Sequence, residues 1–298
     1  MASALLRPDV LVLAGGGVVG EAWMNGVLGG IEDGGGADFT EVESYVGTSA
    51  GSIVAARLVS GRRPRRPEDR LPSELAEAEP EIARRGVRGV ATGAAKVGFA
   101  FGAPVASAAL AVSAPVGAVA RGAILRRAGD RGLRLDQLEG RIAKWAPRFD
   151  GRLRVCAVDR GSGKRVVFGA PGSPHAQVPE AVAASCAIPF YFKAVTIGDR
   201  EYVDGGAWSV SNLDAAPAGR ESAVLFLHPT AALTQPWAKA FRLATELELQ
   251  QLRRRGAQVL HVAPDARAST AIGGRFMDPA RIGSVLAAGY AQGRRLTS

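Results

Sequence analysis

The chain has 298 residues, 47% of them hydrophobic, and 37 Lys+Arg against 28 Asp+Glu, a formal charge of +9. This length suits one large α/β domain with its own core, so a single domain is expected over 1–298. Two cysteines, Cys156 and Cys186, lie in apolar or small-residue surroundings. They offer neither a disulfide framework nor metal-ligand spacing; buried free thiols, no metal and no cofactor are expected.

The N-terminal Met1–Pro8 lacks a basic n-region and a long apolar h-region. No signal peptide is expected, which makes a cytoplasmic location the default. Val10–Ala14 then reads as a buried parallel strand and Glu21–Ile31 as a helix, with Gly15-Gly16-Gly17-Val18-Val19-Gly20 between them. Consecutive glycines between strand and helix expose backbone N–H groups to an anion. Gly15, Gly17 and Gly20 match Gly-x-Gly-x-x-Gly, so a dinucleotide site is one reading. An oxyanion hole for acyl transfer is the other. The dinucleotide reading expects an acidic residue closing the second strand, roughly 20 residues on. Here that strand, Tyr45-Val46, closes with Gly47-Thr48-Ser49-Ala50-Gly51, while Asp33 and Asp38 sit in a loop. The oxyanion reading therefore leads. A helical stretch, Ser52–Val59, follows the Gly-x-Ser-x-Gly sequence. Strand, sharp turn and helix around a serine form the context of a nucleophile elbow, with Gly47 and Gly51 relieving the crowding.

Residues 62–150 read as a variable, mostly helical insertion that opens with the linker Arg62-Arg63-Pro64-Arg65-Arg66-Pro67. Between Arg62 and Arg154 there are 19 Lys+Arg against 10 Asp+Glu, so this segment carries the whole net charge. Val97–Ala120 is uncharged and rich in Ala, Gly and Val. It reads as a helical hairpin forming a lid, as a lipid-inserting element or, despite Pro104 and Pro115, as a membrane span. Apolar surface flanked by arginines suits an anionic membrane surface contacted through 62–154, at the inner face. The alternative is a solvated basic face. No nucleic acid is expected, because aromatic residues are sparse around the basic clusters.

Leu153–Val158 and Arg165–Phe168 return to the sheet, Pro179–Ala184 reads as a short helix, and Glu201-Tyr202-Val203 delivers Asp204 ahead of Gly205 and Gly206. Ser222–Leu227 and Gln258–Ala263 read as strands, Pro236–Arg255 and Pro279–Arg295 as helices. Strands alternating with helices imply an α/β fold with a mainly parallel sheet covered on both faces.

The glycine loop, the Gly-x-Ser-x-Gly elbow and the later Asp-Gly-Gly, in that order, resemble the patatin-like phospholipase family. The stretch Val182–Pro189 also looks like that family's approach to its aspartate. The resemblance is clear over about 9–61 and 152–215 and weak or absent over 62–150. It implies a three-layer α/β/α patatin-like fold with a helical insertion. It also implies a serine–aspartate dyad: Ser49 the nucleophile, Asp204 its base, the N–H groups of Gly15, Gly16 and Gly17 the oxyanion hole, and Gly20, Gly47, Gly51, Gly205 and Gly206 as motif support. The expected activity is hydrolysis of fatty-acyl esters, phospholipids foremost. The alternatives are a silent lipid-binding or scaffolding protein, a nucleotide-binding oxidoreductase, or a triad esterase using His175, His228 or His261. Two departures stand out: Val19 occupies a position often basic in the family, and no proline follows Asp-Gly-Gly within Ser209–Leu213.

Overall fold

The computed structural model describes residues 5–35, 37–69, 117–127, 132–233 and 238–298. Its elements, in chain order, begin with β1 (Val10–Leu13), α1 (Gly17–Gly35), β2 (Ser44–Thr48) and α2 (Ala50–Val59). Next come α3 (Gly117–Arg127), α4 (Asp136–Ala143), β3 (Leu153–Asp159), β4 (Arg165–Phe168) and α5 (Val178–Cys186). Then follow β5 (Val195–Ile197), β6 (Arg200–Asp204), β7 (Ala223–Leu227), α6 (Ala238–Arg254), β8 (Gln258–Val262), α7 (Ala266–Ile272) and α8 (Ile282–Leu296).

β3, β2, β1, β7 and β8 form a parallel core in that spatial order, while β4, β5 and β6 add antiparallel pairings. The layering follows from the two-residue period of a strand. Leu11, Leu13, Leu225 and Leu227 point into one core, with side chains of α1, α2, α5 and α8. Val10, Val12, Val224 and Phe226 point into the other, closed by Phe241, Leu249 and Leu252 of α6. Strands buried on both faces are continuous apolar runs, which is why β1 and β7 are readable in the sequence.

Most expected elements are present within a few residues of their expected ends. β5 carries only Val-Thr-Ile and escaped notice. The strands around Asp204 run antiparallel because β6 enters along β3 from the opposite direction. That entry positions the site. β4 overlaps β2 at Val155 and Cys156 of β3, and overlaps β6 at Ala157 and Val158. One edge of a strand holds one partner at a given residue, so β2 and β6 share the edge opposite β4. There they meet end to end: Thr48 pairs Cys156 and Asp204 pairs Ala157.

The hairpin expected over Val97–Ala120 lies outside the described residues up to position 116; Gly117–Arg127 is helical. No helix among the described residues is long and apolar enough to cross a membrane. The described arginines of the 62–154 segment are largely engaged within the protein. Arg66 pairs with Glu32 at 2.9 Å and Asp33 at 2.8 Å, and Arg63 reaches Glu32 at 3.4 Å. Arg65 and Arg121 are buried, Arg121 donating to the Gly163 carbonyl and stacking over Trp208 at 4.6 Å. Among the described residues, Arg65, Arg66 and Arg121 are therefore not free positive surface.

α1 and α8 pack backbone to backbone. A Cβ at Gly30 would lie 2.2 Å from the Tyr290 carbonyl oxygen, and one at Gly293 2.1 Å from that of Val27. Gly30→Ala is expected to cost about 1–3 kcal/mol or more through forced separation of the helices. Gly283→Ala, where a Cβ meets nothing within 4 Å, is expected to stabilise by about 0.5–1 kcal/mol through helix propensity. Thermal denaturation of the two variants checks both signs.

Candidate active site

Ser49 stands at the junction of β2 and α2 with φ 51° and ψ −122°. A non-glycine residue in this region is strained and persists only where its surroundings fix it. The Ser49 N–H donates to Ser185 Oγ at 2.8 Å, and Ser185 Oγ–H donates to the Cys156 carbonyl at 2.7 Å. The Ser49 carbonyl accepts the Ser52 N–H at 2.8 Å and the Ser52 hydroxyl at 2.6 Å. The tightness explains the motif glycines: a Cβ at Gly47 would meet Ser52 Cα at 2.5 Å, and one at Gly51 the Leu13 carbonyl oxygen at 2.0 Å.

Asp204 closes β6, its N–H donating to the Ala187 carbonyl at 2.9 Å. Its Oδ1 accepts the Gly206 N–H at 2.6 Å, and the Ser49 hydroxyl lies close enough to the carboxyl to lower its affinity for protons. Asp204 is only 2% exposed. Burial pushes its carboxyl up to about 7, and the Gly206 amide and the Ser49 hydroxyl pull back only part of that rise. Gly205 passes the strand junction closely; a Cβ there would lie 2.3 Å from the Cys156 carbonyl oxygen.

The glycine loop touches the elbow, since a Cβ at Gly15 would come 3.6 Å from Ser49 Cβ. The Gly15 N–H is already committed, donating to the Val210 carbonyl at 3.0 Å. That corrects the expectation of three free donors. Gly16 and Gly17 remain, at the start of α1, where helix N–H groups have no intrahelical partner. Gly20 supports the loop from within α1, where a Cβ would meet Pro229 at 3.2 Å.

Gly15, Gly16, Gly17, Ser49, Asp204, Gly206 and Thr230 line one cleft, with Ile188, Val210, Phe241 and Phe276 as its apolar wall. The cleft encloses about 420 Å³ including space open to solvent.

The histidines stand elsewhere. His261 lies on β8, three strand spacings from β2, roughly 14 Å across the sheet. Its Nε2 is 3.2 Å from Nδ1 of His228, a buried ring pushed down to about 3 by desolvation. His175 is exposed in the loop before α5. β2 closes with Thr48, so the dinucleotide reading still lacks its acidic partner.

Sequence reasoning missed Ser185, Asn212 and Thr230. Asn212 occupies the left-handed region with φ 46° and donates to Thr48 Oγ1 at 3.0 Å and the Ser209 carbonyl at 2.5 Å. Its Oδ1 accepts from Arg165 at 3.2 Å, and Arg165 pairs with Asp214. An asparagine tolerant of this conformation thus shapes the turn that lacks the family's proline. Val19, at the position often basic, is fully buried in the core.

A family model described as patatin-like phospholipase matches residues 11–218. The chain belongs to the patatin-like phospholipase family, and its fold is the mixed α/β fold of that family. Membership gives lipid acyl hydrolysis as the general class of activity and a lipid as the substrate. Among solved structures it is similar to VipD from Legionella pneumophila, at 13% identity and a TM-score of 0.43 over 98% of this chain and 67% of that one. No curated protein matches it.

The raised carboxyl makes a stability prediction. Asp204 binds its proton more tightly folded than unfolded, so its contribution is complete below the unfolded value of about 3.9 and is lost as pH rises through about 7. Asp204→Asn, neutral at every pH, is expected to melt increasingly above the wild type between pH 4 and pH 8. Paired melting curves across that range test the sign.

Proposed function

We propose that the protein is a serine lipid acyl hydrolase that cleaves fatty-acyl esters, phospholipids foremost, through a Ser49–Asp204 dyad. One observation carries the reading: Ser49 shares its cleft with a buried carboxyl, Asp204, whose affinity for protons is raised to about 7. A carboxylate at its ordinary value of about 3.9 is a poor base for a hydroxyl. One poised near neutral pH is matched to the task.

Ser49 Oγ attacks the ester carbonyl carbon as its proton passes to Asp204. The carbonyl π pair moves onto oxygen, and the amides of Gly16 and Gly17 hold that oxyanion. Collapse re-forms the carbonyl and expels the leaving alkoxide, which takes the proton back from Asp204. Water then attacks the acyl-enzyme with Asp204 again accepting a proton, and the acid departs as Ser49 is reprotonated. The Ser185 bridge and the Ser52 bonds hold the strained serine through both halves. The apolar wall takes the acyl chain. The reaction needs no metal, so activity is expected to survive EDTA; loss on chelation with recovery on adding metal would contradict the scheme.

The test is hydrolysis of p-nitrophenyl esters of increasing chain length by wild type, Ser49→Ala, Asp204→Asn and His261→Ala. The first two substitutions are expected to abolish turnover and the third to spare it. Because the base acts ionised, kcat/KM is expected to rise with pH and level off above an apparent value near 7. A folded but inactive His261→Ala would point to a triad. A wild type inert on esters and on phospholipid vesicles would favour a lipid-binding role.

A further inference from the structure

Thr230 lies in the short 3₁₀ turn Pro229–Ala232 that follows β7. It lines the cleft shared by Ser49 and Asp204. The residue is 9% exposed, and its Oγ1 is shielded from solvent with no hydrogen-bond partner among the described residues. A buried hydroxyl that bonds to nothing destabilises the fold, and its presence in a native protein calls for a reason.

The surroundings supply one. β7 runs beside β1 in the register Leu13 to Leu227, and the Ala14 N–H donates to the Leu227 carbonyl at 3.1 Å. The turn after β7 is therefore fixed beside the glycine loop after β1. Pro229 presses on that loop: a Cβ at Gly16 would lie 2.7 Å from its Cγ. Thr230 is the next residue. The loop itself is short of donors, because the Gly15 amide is spent on Val210.

We infer that the Thr230 hydroxyl is a side-chain donor of the oxyanion site, joining the Gly16 and Gly17 amides on the substrate's carbonyl oxygen as that oxygen takes up negative charge. The role rests on the hydrolase reading above. Thr230 is then a catalytic residue by contact, once rotation about χ1 turns Oγ1 from its shielded position into the cleft. The β-branched side chain, held in a proline-led turn, has few rotamers to lose on engagement. An interaction made with the oxyanion rather than the neutral carbonyl lowers the barrier without tightening substrate binding.

The experiment compares wild type, Thr230→Val, Thr230→Ser and Ser49→Ala in kcat, KM and melting temperature on p-nitrophenyl esters. Thr230→Val keeps the shape and removes the donor. It is expected to lower kcat about 10²-fold with KM within about threefold. Its melting temperature is expected to equal or exceed the wild-type value, since an unpaired buried hydroxyl is gone. Thr230→Ser is expected to stay within about tenfold of wild-type kcat. Thr230→Val with wild-type kcat while Ser49→Ala is dead overturns the role of Thr230 and leaves the hydrolase reading standing. Loss of kcat together with a lowered melting temperature in Thr230→Val overturns it in favour of a packing role. Full activity in Ser49→Ala, or an inert wild type, overturns the hydrolase reading and this role with it.

Discussion

A carboxylate buried beside a serine hydroxyl is the constraint around which the site is arranged. At 2% exposure Asp204 has almost no water to ionise into. Its shift from 3.8 to about 7 corresponds to a cost on the order of 4 kcal/mol for the ionised form. The partners that offset part of it, the Gly206 amide and the Ser49 hydroxyl, are themselves parts of the site. The pairing exists because β2 and β6 abut along one edge of β3, with Thr48 and Asp204 opposite consecutive residues. Had β6 run parallel to β2, Asp204 would lie at its far end, away from Ser49.

The same junction explains where strain and close packing concentrate. Ser49 is the only non-glycine with positive φ among the described residues of the β1–α2 unit. It is fastened through both flanking peptide groups, by Ser185 through its N–H and by Ser52 through its carbonyl. Such fastening converts an unfavourable dihedral into a fixed position for Oγ, which in the proposed reaction lets it meet one carbonyl in one orientation. Gly51 and Gly205 keep side chains out of contact with the backbones of β1 and β3. Only absent Cβ atoms allow the elbow, the glycine loop and the Asp-Gly-Gly turn to converge.

Much of this was legible in the sequence because it is local. β1, β2 and β7 are apolar runs bounded by glycine or polar residues, and the three motifs fall at the ends of β1, β2 and β6. What escaped the sequence depends on long-range geometry. Ser185 bonds Ser49 across 136 positions and Asn212 bonds Thr48 across 164; nothing local marks either as a partner of the elbow. The commitment of Gly15 to Val210 depends on how the chain returns after Asp204. Charge was the least informative signal. The arginine-rich linker read as a surface for anionic lipid, yet Arg65 is buried and Arg66 is paired with Glu32 and Asp33 on α1. Counting charges along a segment cannot reveal acidic partners supplied by a distant helix.

The apolar wall of the cleft joins substrate binding to the proposed chemistry. Ile188, Val210, Phe241 and Phe276 stand around the same space as the Asp204 carboxyl. Their low polarity suits an acyl chain, and desolvation is the largest cause of the raised carboxyl. A chain lying along that wall displaces water from the reacting centre and strengthens every hydrogen bond aimed at it. Binding energy from methylenes far from the ester thereby reaches the base and the oxyanion donors, which is the route by which remote contacts raise a rate rather than merely an affinity. A more polar cleft would hold Asp204 nearer its ordinary value and leave the hydroxyl without an effective base. In this reading the preference for lipid and the absence of a catalytic histidine have one physical origin: the apolar lining that receives the acyl chain also makes an aspartate basic enough to act alone.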